Sequence, residues 1–423
     1  MIVNSYIINH EPSIDSMKEL LFFTNGDANN ANAWSNVPYC FSHALEDKGI
    51  NVHRIDYSMN PAFVKFYDLG LRRILDGLTL KKLRFPYLRT TRLFKFFAEK
   101  KIRKAILQNP HAELCLFMGY GFYNKWNQTP SLLFSDWTTE MDIRKKRRPN
   151  FLEKRIILQE EEAINNAEYV VSLFPVCCEE MKKRYPKANI HFLGGNVINN
   201  LLNKSLVSRS KFQVPNEKAD NTIIVEDLVE TKAKSKKLLF IGRKTTYLEA
   251  AKKLIEAYKL LKQEEDYKDF TLDIVGCWAS DFDSLPEGVT CYGFLNKSDE
   301  QDRKIYYDLL LGAKVLVNAN PKWGAFSSTV EAMYYYTPVI VSPYQDFVKN
   351  FGEEIDFGVY NQDFTAECIA TDIKSVINSN NYTEMCNFAH ENVKTYTWEN
   401  YVERLCRWVK EPLPSPPLKE GNS

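Results

Sequence analysis

Short apolar runs alternate with longer amphipathic segments along the first 200 residues. The runs lie in ELLFFTNGD (19–27), INVHRIDYS (50–58), AELCLFMGYG (112–121), PSLLFSDWT (130–138), EYVVSLF (168–174) and ANIHFLGGNVIN (188–199). Such runs are typical of strands buried on both faces of a parallel sheet. Segments 36–49 and 152–167 have helical periodicity, with Ser35 or Asn36 as the N-cap of the first and Gly49 as its end. The alternation predicts a doubly wound α/β domain over residues 1–200.

The second half repeats the strand and helix alternation after a polar interruption. Residues 201–237 are rich in lysine and have little apolar periodicity, which indicates an interdomain linker with one short strand in TIIVED (222–227). We expect a second α/β domain over 238–395, a C-terminal helix over 396–411, and a disordered tail over 412–423, where apolar content is too low to fold. A chain of 423 residues exceeds the usual size of one core, so two domains fit its length.

Composition indicates a cytoplasmic protein. The nine cysteines are odd in number and lack paired metal-ligand spacing, which favours a reducing compartment. The start, MIVNSYIINHEPSID, is not a secretory signal, and no run approaches the roughly 20 apolar residues of a membrane span. The six histidines are scattered, so no metal site is predicted. The net charge of +1 indicates no particular partner.

Residues 320–341 read as a strand end, a loop, a helix and another strand. Ser327 and Ser328 stand at the start of the helix, whose free N–H groups and positive dipole end favour an anion. Gly324 lets a diphosphate approach the backbone, and Glu331 follows one turn into the helix. Thr337 and Pro338 end the helix. The segment predicts a nucleotide-sugar site; an ordinary helix–strand unit with one exposed glutamate is the alternative.

Three ordered blocks resemble the C-terminal half of retaining GT-B glycosyltransferases, the family 4 group, over most of residues 236–400. They are LLFIGRKTTYLEAAKKLIEAYKLL (238–261), FTLDIVGCW with VTCYGFLNKSD (270–278 and 289–299), and AKVLVNANPKWGAFSSTVEAMYYYTPVIVSP (313–343). The ordered trio is more specific than any one block. The resemblance implies the GT-B fold, two Rossmann-like doubly wound domains facing a cleft, with the C-terminal helix packed across both.

The same resemblance implies how a donor would bind. Arg243 and Lys244, with the amides near Ser327 and Ser328, would stabilise the leaving diphosphate, which makes a metal unnecessary. The other implied residues are Gly324 and Gly26 at the diphosphate, Glu331 at the ribose, Phe294 and Leu295 at the nucleobase, and Trp323 at the donor sugar. No cofactor is expected beyond a nucleotide-sugar co-substrate, with a UDP-sugar favoured over a GDP-sugar.

Two positions depart from the family pattern. Trp323 replaces the glutamate that family members place eight positions before the residue matching Glu331, where it holds sugar hydroxyls. Glu249 stands where the family places a second diphosphate cation, so Lys244 is taken to supply that charge. Either difference is compatible with altered donor recognition or with loss of activity.

Asp136 is the candidate catalytic residue of the first domain. It follows an apolar strand, where ligands gather in open α/β sheets, and its carboxylate could orient or deprotonate the attacking hydroxyl. The alternative is a helix cap, since Thr139 and Glu140 follow it.

A basic, aromatic segment occupies residues 71–104. It has twelve Lys or Arg against two acidic residues, interleaved with Phe, Tyr and Leu, and a second basic cluster follows at 144–148. Such segments bind anionic lipid headgroups, which predicts peripheral contact with the inner face of a membrane. A solvated face or a polyanion are alternatives, although no nucleic-acid motif accompanies the charges.

These features predict a hexosyltransferase-type glycosyltransferase of glycan, glycolipid or polysaccharide biosynthesis. It would pass sugar from a nucleotide diphosphate to the hydroxyl of a glycan or lipid-linked acceptor. The alternatives are a non-catalytic GT-B-like partner of an active transferase and a nucleotide-sugar epimerase on the same fold. The sequence does not identify the sugar, the acceptor or the oligomeric state.

Overall fold

The computed structural model describes residues 17–31, 33–79, 85, 87–144, 147–194, 197–201, 225–321 and 326–410. Its strands are β1 (Glu19–Thr24), β2 (Asn51–Asp56), β3 (Leu114–Met118), β4 (Ser131–Ser135), β5 (Tyr169–Ser172), β6 (Ile190–His191), β7 (Lys237–Ile241), β8 (Thr271–Val275), β9 (Val289–Gly293), β10 (Val315–Asn318), β11 (Val339–Val341) and β12 (Gly358–Tyr360). The first six form one parallel sheet and the last six form another.

Helices cover the faces and ends of both sheets. They are α1 (Val37–Asp47), α2 (Pro61–Lys65), α3 (Arg72–Leu78), α4 (Arg92–Gln108), α5 (Thr139–Arg144), α6 (Phe151–Asn166), α7 (Pro175–Arg184), α8 (Val225–Lys234), α9 (Lys244–Leu261), α10 (Glu300–Gly312), α11 (Ser327–Tyr334), α12 (Gln345–Phe351), α13 (Ala366–Ile377), α14 (Tyr382–Val393) and α15 (Trp398–Lys410). A π-helical stretch, Phe66–Leu71, joins α2 to α3. Short 3-10 turns lie at Ala33–Asn36, Leu88–Thr90, Glu265–Tyr267 and Ala279–Asp281.

The strand orders place a topological switch point in each sheet. The first sheet runs β2-β1-β3-β4-β5-β6, so the order reverses between β1 and β3. The second runs β12-β11-β10-β7-β8-β9, the dinucleotide-fold order, and it reverses between β7 and β10. In open parallel sheets, ligands bind beyond the carboxyl ends of the strands at such points. The topology therefore offers two binding crevices.

The apolar runs of the first 200 residues form the six strands that the sequence predicts. All five residues of β3 and of β4 are buried, as expected for strands covered on both faces. The predicted helices 36–49 and 152–167 are confirmed as α1 and α6. Asn36 occupies the N-cap position of α1, but its side-chain amide donates to the carbonyl of Ala31 instead of capping the helix.

The two halves share one apolar core. Leu239 of β7 and Leu316 of β10 belong to the core that continues into the first half, while their neighbours face a second core confined to the second half. The segment 197–201 contacts the second half, since the N–H of Leu201 donates to the Tyr307 hydroxyl at 2.7 Å and the Tyr335 hydroxyl donates to Asn200 Oδ1 at 2.8 Å. Helix α15 then returns to the first half, where the Trp398 ring stacks on Phe41 with centroids 4.8 Å apart. The contact of α15 with the first half is thus observed, while its packing across both halves stays a prediction.

Part of the predicted linker is wrong. Residues 225–227 of the expected strand TIIVED form the first turn of α8, and the rest of that strand lies outside the described residues. Helix α8 buries Leu228, Val229 and Lys232, which lie on one face at helical spacing. Only two of these three residues are apolar, so the sequence shows no clear helical periodicity in this segment.

Within the described residues, no helix is long and apolar enough to cross a membrane. All nine cysteines are described and none is in a disulfide. Burial raises the pKa of the Cys177 thiol to about 12, so this residue of α7 is a packing residue rather than a nucleophile.

Candidate functional site

A cavity of about 420 Å³ lies at the switch point of the second sheet and opens toward the first half. Loops that follow β7, β8 and β9, with the start of α11, form one wall. The opposite wall comes from the first half and includes Trp34 and Asp136. The residues predicted for this cavity that line it are Arg243, Phe294, Leu295, Ser327, Ser328 and Glu331. We call it the smaller cavity.

Arg243 stands at the N-cap of α9 because two glycines let β7 and β8 turn closely. Gly276 has a φ of +98°, and a Cβ there would lie 2.3 Å from the carbonyl oxygen of Gly242. The N–H of Lys244 donates to the carbonyl of Gly276 at 3.0 Å, which fixes the first turn of α9. Any larger residue at position 276 would therefore move the backbone that presents Arg243.

The Lys244 side chain points to a different partner. Its ammonium pairs with Asp281, whose carboxylate also accepts from the N–H of Trp278 at 2.8 Å. Lys244 is not among the described residues that line either large cavity. Glu249, one turn further, is an exposed residue paired with Lys252 at 3.5 Å. Of the two cations predicted for the diphosphate, Arg243 thus lines the smaller cavity and Lys244 does not.

Helix α11 begins at Ser327, as the sequence predicts, and its first two residues line the smaller cavity. Their N–H groups belong to the first turn, which has no intrahelical acceptors and favours an anion. The helix ends at Tyr334, ahead of Thr337 and Pro338. The predicted contacts Trp323 and Gly324 lie outside the described residues.

Glu331 is buried, with 3% of its surface exposed, and its carboxylate is surrounded by donors. Lys297 Nζ lies 3.1 Å from Oε1 and 2.9 Å from Oε2. The Tyr306 hydroxyl donates to Oε2 at 2.7 Å and the Tyr307 hydroxyl to Oε1 at 3.1 Å. Burial raises the pKa of both tyrosines well above its usual value, so both remain neutral donors. Glu331 is a charged group at the floor of the cavity rather than an exposed glutamate.

Phe294 and Leu295 follow β9 and form the apolar edge of the smaller cavity. Phe294 is 59% exposed, while Leu295 is buried. Gly293, with a φ of +64°, has no room for a side chain because a Cβ would lie 2.3 Å from the ring of Trp278. The chain therefore passes close to the Trp278 ring, and its next two residues line the cavity.

A second cavity, of about 1140 Å³, lies at the switch point of the first sheet. We call it the larger cavity. Its aromatic lining residues are Trp34, Tyr57, Phe85, Tyr87, Phe94, Tyr120, Phe122 and Trp137. Arginines and carboxylates, among them Arg147 and Glu160, are interspersed with these rings. Flat aromatic faces beside hydrogen-bonding groups suit a carbohydrate or another amphipathic ligand.

Gly26 lines the larger cavity and is not among the residues that line the smaller one. Its φ of +124° suits glycine, and its N–H donates to Asp56 Oδ1 at 2.9 Å. The structure therefore places Gly26 at the larger cavity and does not bring it to the smaller cavity, which Arg243 lines. Trp34 and Asn36, in the loop and turn that follow, also have positive φ, a strained conformation for non-glycine residues.

Asp136 lies where the two cavities meet, since it and Trp34 line both. One oxygen, Oδ1, accepts from the N–H of Trp137 at 2.8 Å and from the hydroxyl of Ser135 at 3.3 Å. Burial raises the pKa of the Asp136 carboxyl, which makes it a stronger base than an exposed aspartate. The helix-cap alternative is wrong, because Thr138 Oγ1 accepts from the N–H of Met141 at the start of α5.

Glu160 of α6 is a second carboxylate of the larger cavity, and sequence patterns did not single it out. The N–H of Thr139 donates to its Oε2 at 2.8 Å, and the Thr139 hydroxyl donates to its Oε1. Burial raises the pKa of Glu160 to about 7. Lys297 and Tyr306 were missed at the smaller cavity in the same way. Lys297 follows Phe294 by three residues and Leu295 by two, and this closeness in sequence is the one signal that could have found it.

No protein-family model matches this chain, and no curated protein matches its sequence. Its fold, however, matches solved structures. WaaG, a glycosyltransferase involved in lipopolysaccharide biosynthesis, has a TM-score of 0.59 at 11% identity over 93% of this chain and 100% of that one. A glycosyltransferase from Rickettsia africae has a TM-score of 0.57 at 13% identity over 93% and 98%. HepE from Anabaena, in complex with UDP and glucose, has 0.53 at 11% identity over 93% and 99%. These similarities confirm the GT-B fold.

Proposed function

We propose that this protein is a glycosyltransferase that moves a sugar from a nucleotide diphosphate to an acceptor hydroxyl. One observation carries the proposal. Arg243, the first turn of α11, Glu331 and the apolar edge at Phe294 all border a single cavity that meets the larger cavity at Asp136. Cation and helix amides suit a diphosphate, the carboxylate suits a ribose diol, and the apolar edge suits a base.

The donor is a UDP-sugar in this proposal, and transfer proceeds with retention and without a metal. The fold neighbour HepE, solved with UDP and glucose, supports the choice of nucleotide. Charge that develops on the leaving diphosphate is stabilised by Arg243 and the N–H groups of Ser327 and Ser328. Asp136 orients the acceptor hydroxyl from the junction of the cavities and accepts its proton.

The acceptor is an amphipathic glycan or a lipid-linked sugar presented at an anionic membrane surface. Residues 72–94 contribute Arg72, Phe85, Tyr87, Arg89 and Phe94 to the larger cavity. The same region displays large apolar side chains to solvent, namely Phe63, Phe66, Leu69, Leu71, Ile74, Leu78, Tyr87, Leu93, Phe96 and Phe97. Exposed basic residues accompany them at Lys65, Arg73, Arg89, Arg92, Lys100, Lys101, Arg103 and Lys104. Apolar and basic groups together favour an anionic bilayer over bulk water.

The donor site is tested by thermal stability against UDP, GDP and their sugar conjugates in metal-free buffer. A ligand that binds only the native state at 100 times its Kd stabilises by about 2.7 kcal/mol. We expect UDP to raise the Tm, and Arg243→Ala to weaken UDP binding by about 10- to 100-fold, since a charge-assisted contact is lost. The matched control is Lys252→Ala, an exposed residue of the same helix.

No stabilisation by any of these nucleotides in a folded sample would contradict the donor site and favour the non-catalytic partner. Binding of a nucleotide-sugar with interconversion of its sugar, but without transfer to any acceptor, would favour the epimerase.

A further inference from the structure

Lys297 is the second cationic residue among the described residues that line the smaller cavity, and Arg243 is the first. Its ammonium contacts both oxygens of Glu331 and lies 4.0 Å from the centroid of the Tyr306 ring. The side chain is 16% exposed. Nothing in the function proposed above uses this lysine.

Each oxygen of the Glu331 carboxylate has two donor groups within hydrogen-bond distance in this state. A carboxylate offers about four lone-pair positions. Lys297 is bonded to both oxygens, Tyr306 to Oε2 and Tyr307 to Oε1. A ribose diol that donates to Glu331 must therefore displace one of these donors.

Lys297 is the donor that can leave. Tyr306 and Tyr307 are 4% and 1% exposed and lie within the core, so neither hydroxyl can move without repacking. The lysine instead has a flexible four-carbon stem. Its backbone stays in place, because Arg303 Nη1 donates to the Lys297 carbonyl at 3.0 Å. Displacement thus moves the ammonium and leaves the loop unchanged.

The cavity that Lys297 lines is also lined by Arg243 and by the first turn of α11, the groups proposed to bind the diphosphate. Lys244 is held by Asp281, and Glu249 stands where a second cation is expected. Arg243 alone does not balance the charge of a diphosphate. A freed Lys297 would complete it through a charge-assisted contact.

We propose that Lys297 is an exchangeable cation of the donor site: the ribose displaces its ammonium from Glu331, and the freed ammonium pairs with the diphosphate. This inference rests on the proposed function and deepens it. It explains how one cavity can select a nucleoside diphosphate over a nucleoside. A nucleoside displaces the lysine without giving it an anion to bind, while a diphosphate supplies one.

The test compares UDP with uridine on the full chain. Calorimetry measures UDP affinity and ligand-observed NMR measures uridine affinity for the unaltered protein, Lys297→Met and Lys297→Arg. We expect Lys297→Met to weaken UDP by about 10- to 100-fold, while uridine binds at least as tightly as before. Lys297→Arg keeps the charge, so its affinity for UDP should stay within about threefold of that of the unaltered protein. Lys304→Met, an exposed residue of α10 paired with Asp308, is the matched control.

A parallel loss of UDP and uridine affinity in Lys297→Met would overturn the exchange, because it would mean that the lysine only supports Glu331. Unchanged UDP affinity would overturn it as well. A crystal structure of the unaltered protein with UDP gives a test without any variant: Nζ should leave Glu331 and approach a phosphate oxygen, and Nζ still bonded to both carboxylate oxygens would contradict the proposal. If the unaltered protein binds no nucleoside diphosphate at all, the proposed function itself fails.

Discussion

At the scale of single residues, Asp136 connects the two cavities. We expect Asp136→Asn to slow transfer by about 100-fold or more, because a general base is lost. The affinity for UDP should stay within about threefold of the value for the unaltered protein. The substitution keeps the shape of the side chain and its contact with the N–H of Trp137. Transfer rates and calorimetry on the same samples separate the two effects. Parallel loss of both would contradict the assigned role.

Glu160 makes stability depend on pH. Its pKa is about 7 in the folded protein and 4.5 in the unfolded chain. Between these values the native state binds more protons, so this contribution to stability is complete below pH 4.5 and is lost as the pH rises through 7. Glu160→Gln should remove this dependence of the free energy of unfolding on pH. The dependence amounts to at most about 3 kcal/mol over the whole interval. Denaturation from pH 4.5 to 8 checks it, with exposed Glu180→Gln as the control. The same slope in both variants would refute it.

Local order and the family resemblance predicted Arg243, Ser327, Ser328 and Glu331 as one site, and the structure brings all four to one cavity, while their roles stay predictions. Their partners could not be predicted in the same way. Lys297 lies 34 positions from Glu331 in the chain, and only the tertiary fold brings the loop that follows β9 to the side chain of Glu331. The pairing of Lys244 with Asp281 is also a long-range contact, which is why the lysine was assigned to the diphosphate.

At the scale of elements, α8 is held by one buried lysine. Lys232 Nζ donates to the carbonyls of Leu310 and Leu311 at 3.0 Å, to that of Ala313 at 3.2 Å, and to Thr337 Oγ1 at 2.7 Å. Two of these carbonyls lie in the last turn of α10, so the lysine caps that helix end.

Lys232→Met should lower the free energy of unfolding by about 3 kcal/mol, since several buried carbonyls lose their donor. Lys234→Met, on the exposed side of the same helix, should change it by less than about 0.5 kcal/mol. Urea denaturation measures both. Equal effects of the two variants would show that the buried contacts contribute nothing specific.

The sequence predicted the strands in which nearly every residue is buried. It did not predict the helix of which only a narrow face is buried. The first-sheet strands β1, β3 and β4 are continuous apolar runs, and that pattern has few alternatives. Helix α8 buries only Leu228, Val229 and Lys232 among its described side chains, within a polar, lysine-rich stretch. Composition therefore indicated a linker, although tertiary contacts form a helix.

At the scale of the whole molecule, the exposed apolar and basic residues between Phe63 and Lys104 should direct the protein to anionic bilayers. Phe66→Ser with Phe96→Ser should weaken binding to phosphatidylglycerol vesicles roughly tenfold or more, because two exposed rings can no longer enter the interface. Phe388→Ser, an exposed phenylalanine of α14 in the second half, is the matched control. Vesicle sedimentation measures all three proteins, and unchanged binding of the double variant would remove the membrane surface from the proposal.

The sequence predicted two Rossmann-like sheets, but it could not predict that both cavities would meet at Asp136. That meeting depends on how the halves pack, and the packing uses dispersed contacts. The Trp398 ring donates to Asn199 Oδ1 at 2.9 Å, and Asp346 Oδ1 accepts from the N–H of Val176 at 3.2 Å. No local sequence pattern predicts contacts between residues so distant in the chain.

Because α15 returns to the first half, residues that are synthesised early contact residues that are synthesised much later. Phe41 contacts the Trp398 ring. The Tyr169 hydroxyl donates to the carbonyl of Val409, 240 positions later in the chain. At about 5–20 residues per second, a ribosome needs roughly 12 to 48 seconds to add that length. Throughout that interval the Phe41 ring of the first half lacks the Trp398 ring that stacks on it. The packing of the N-terminal half therefore becomes complete only after α15 has left the ribosome.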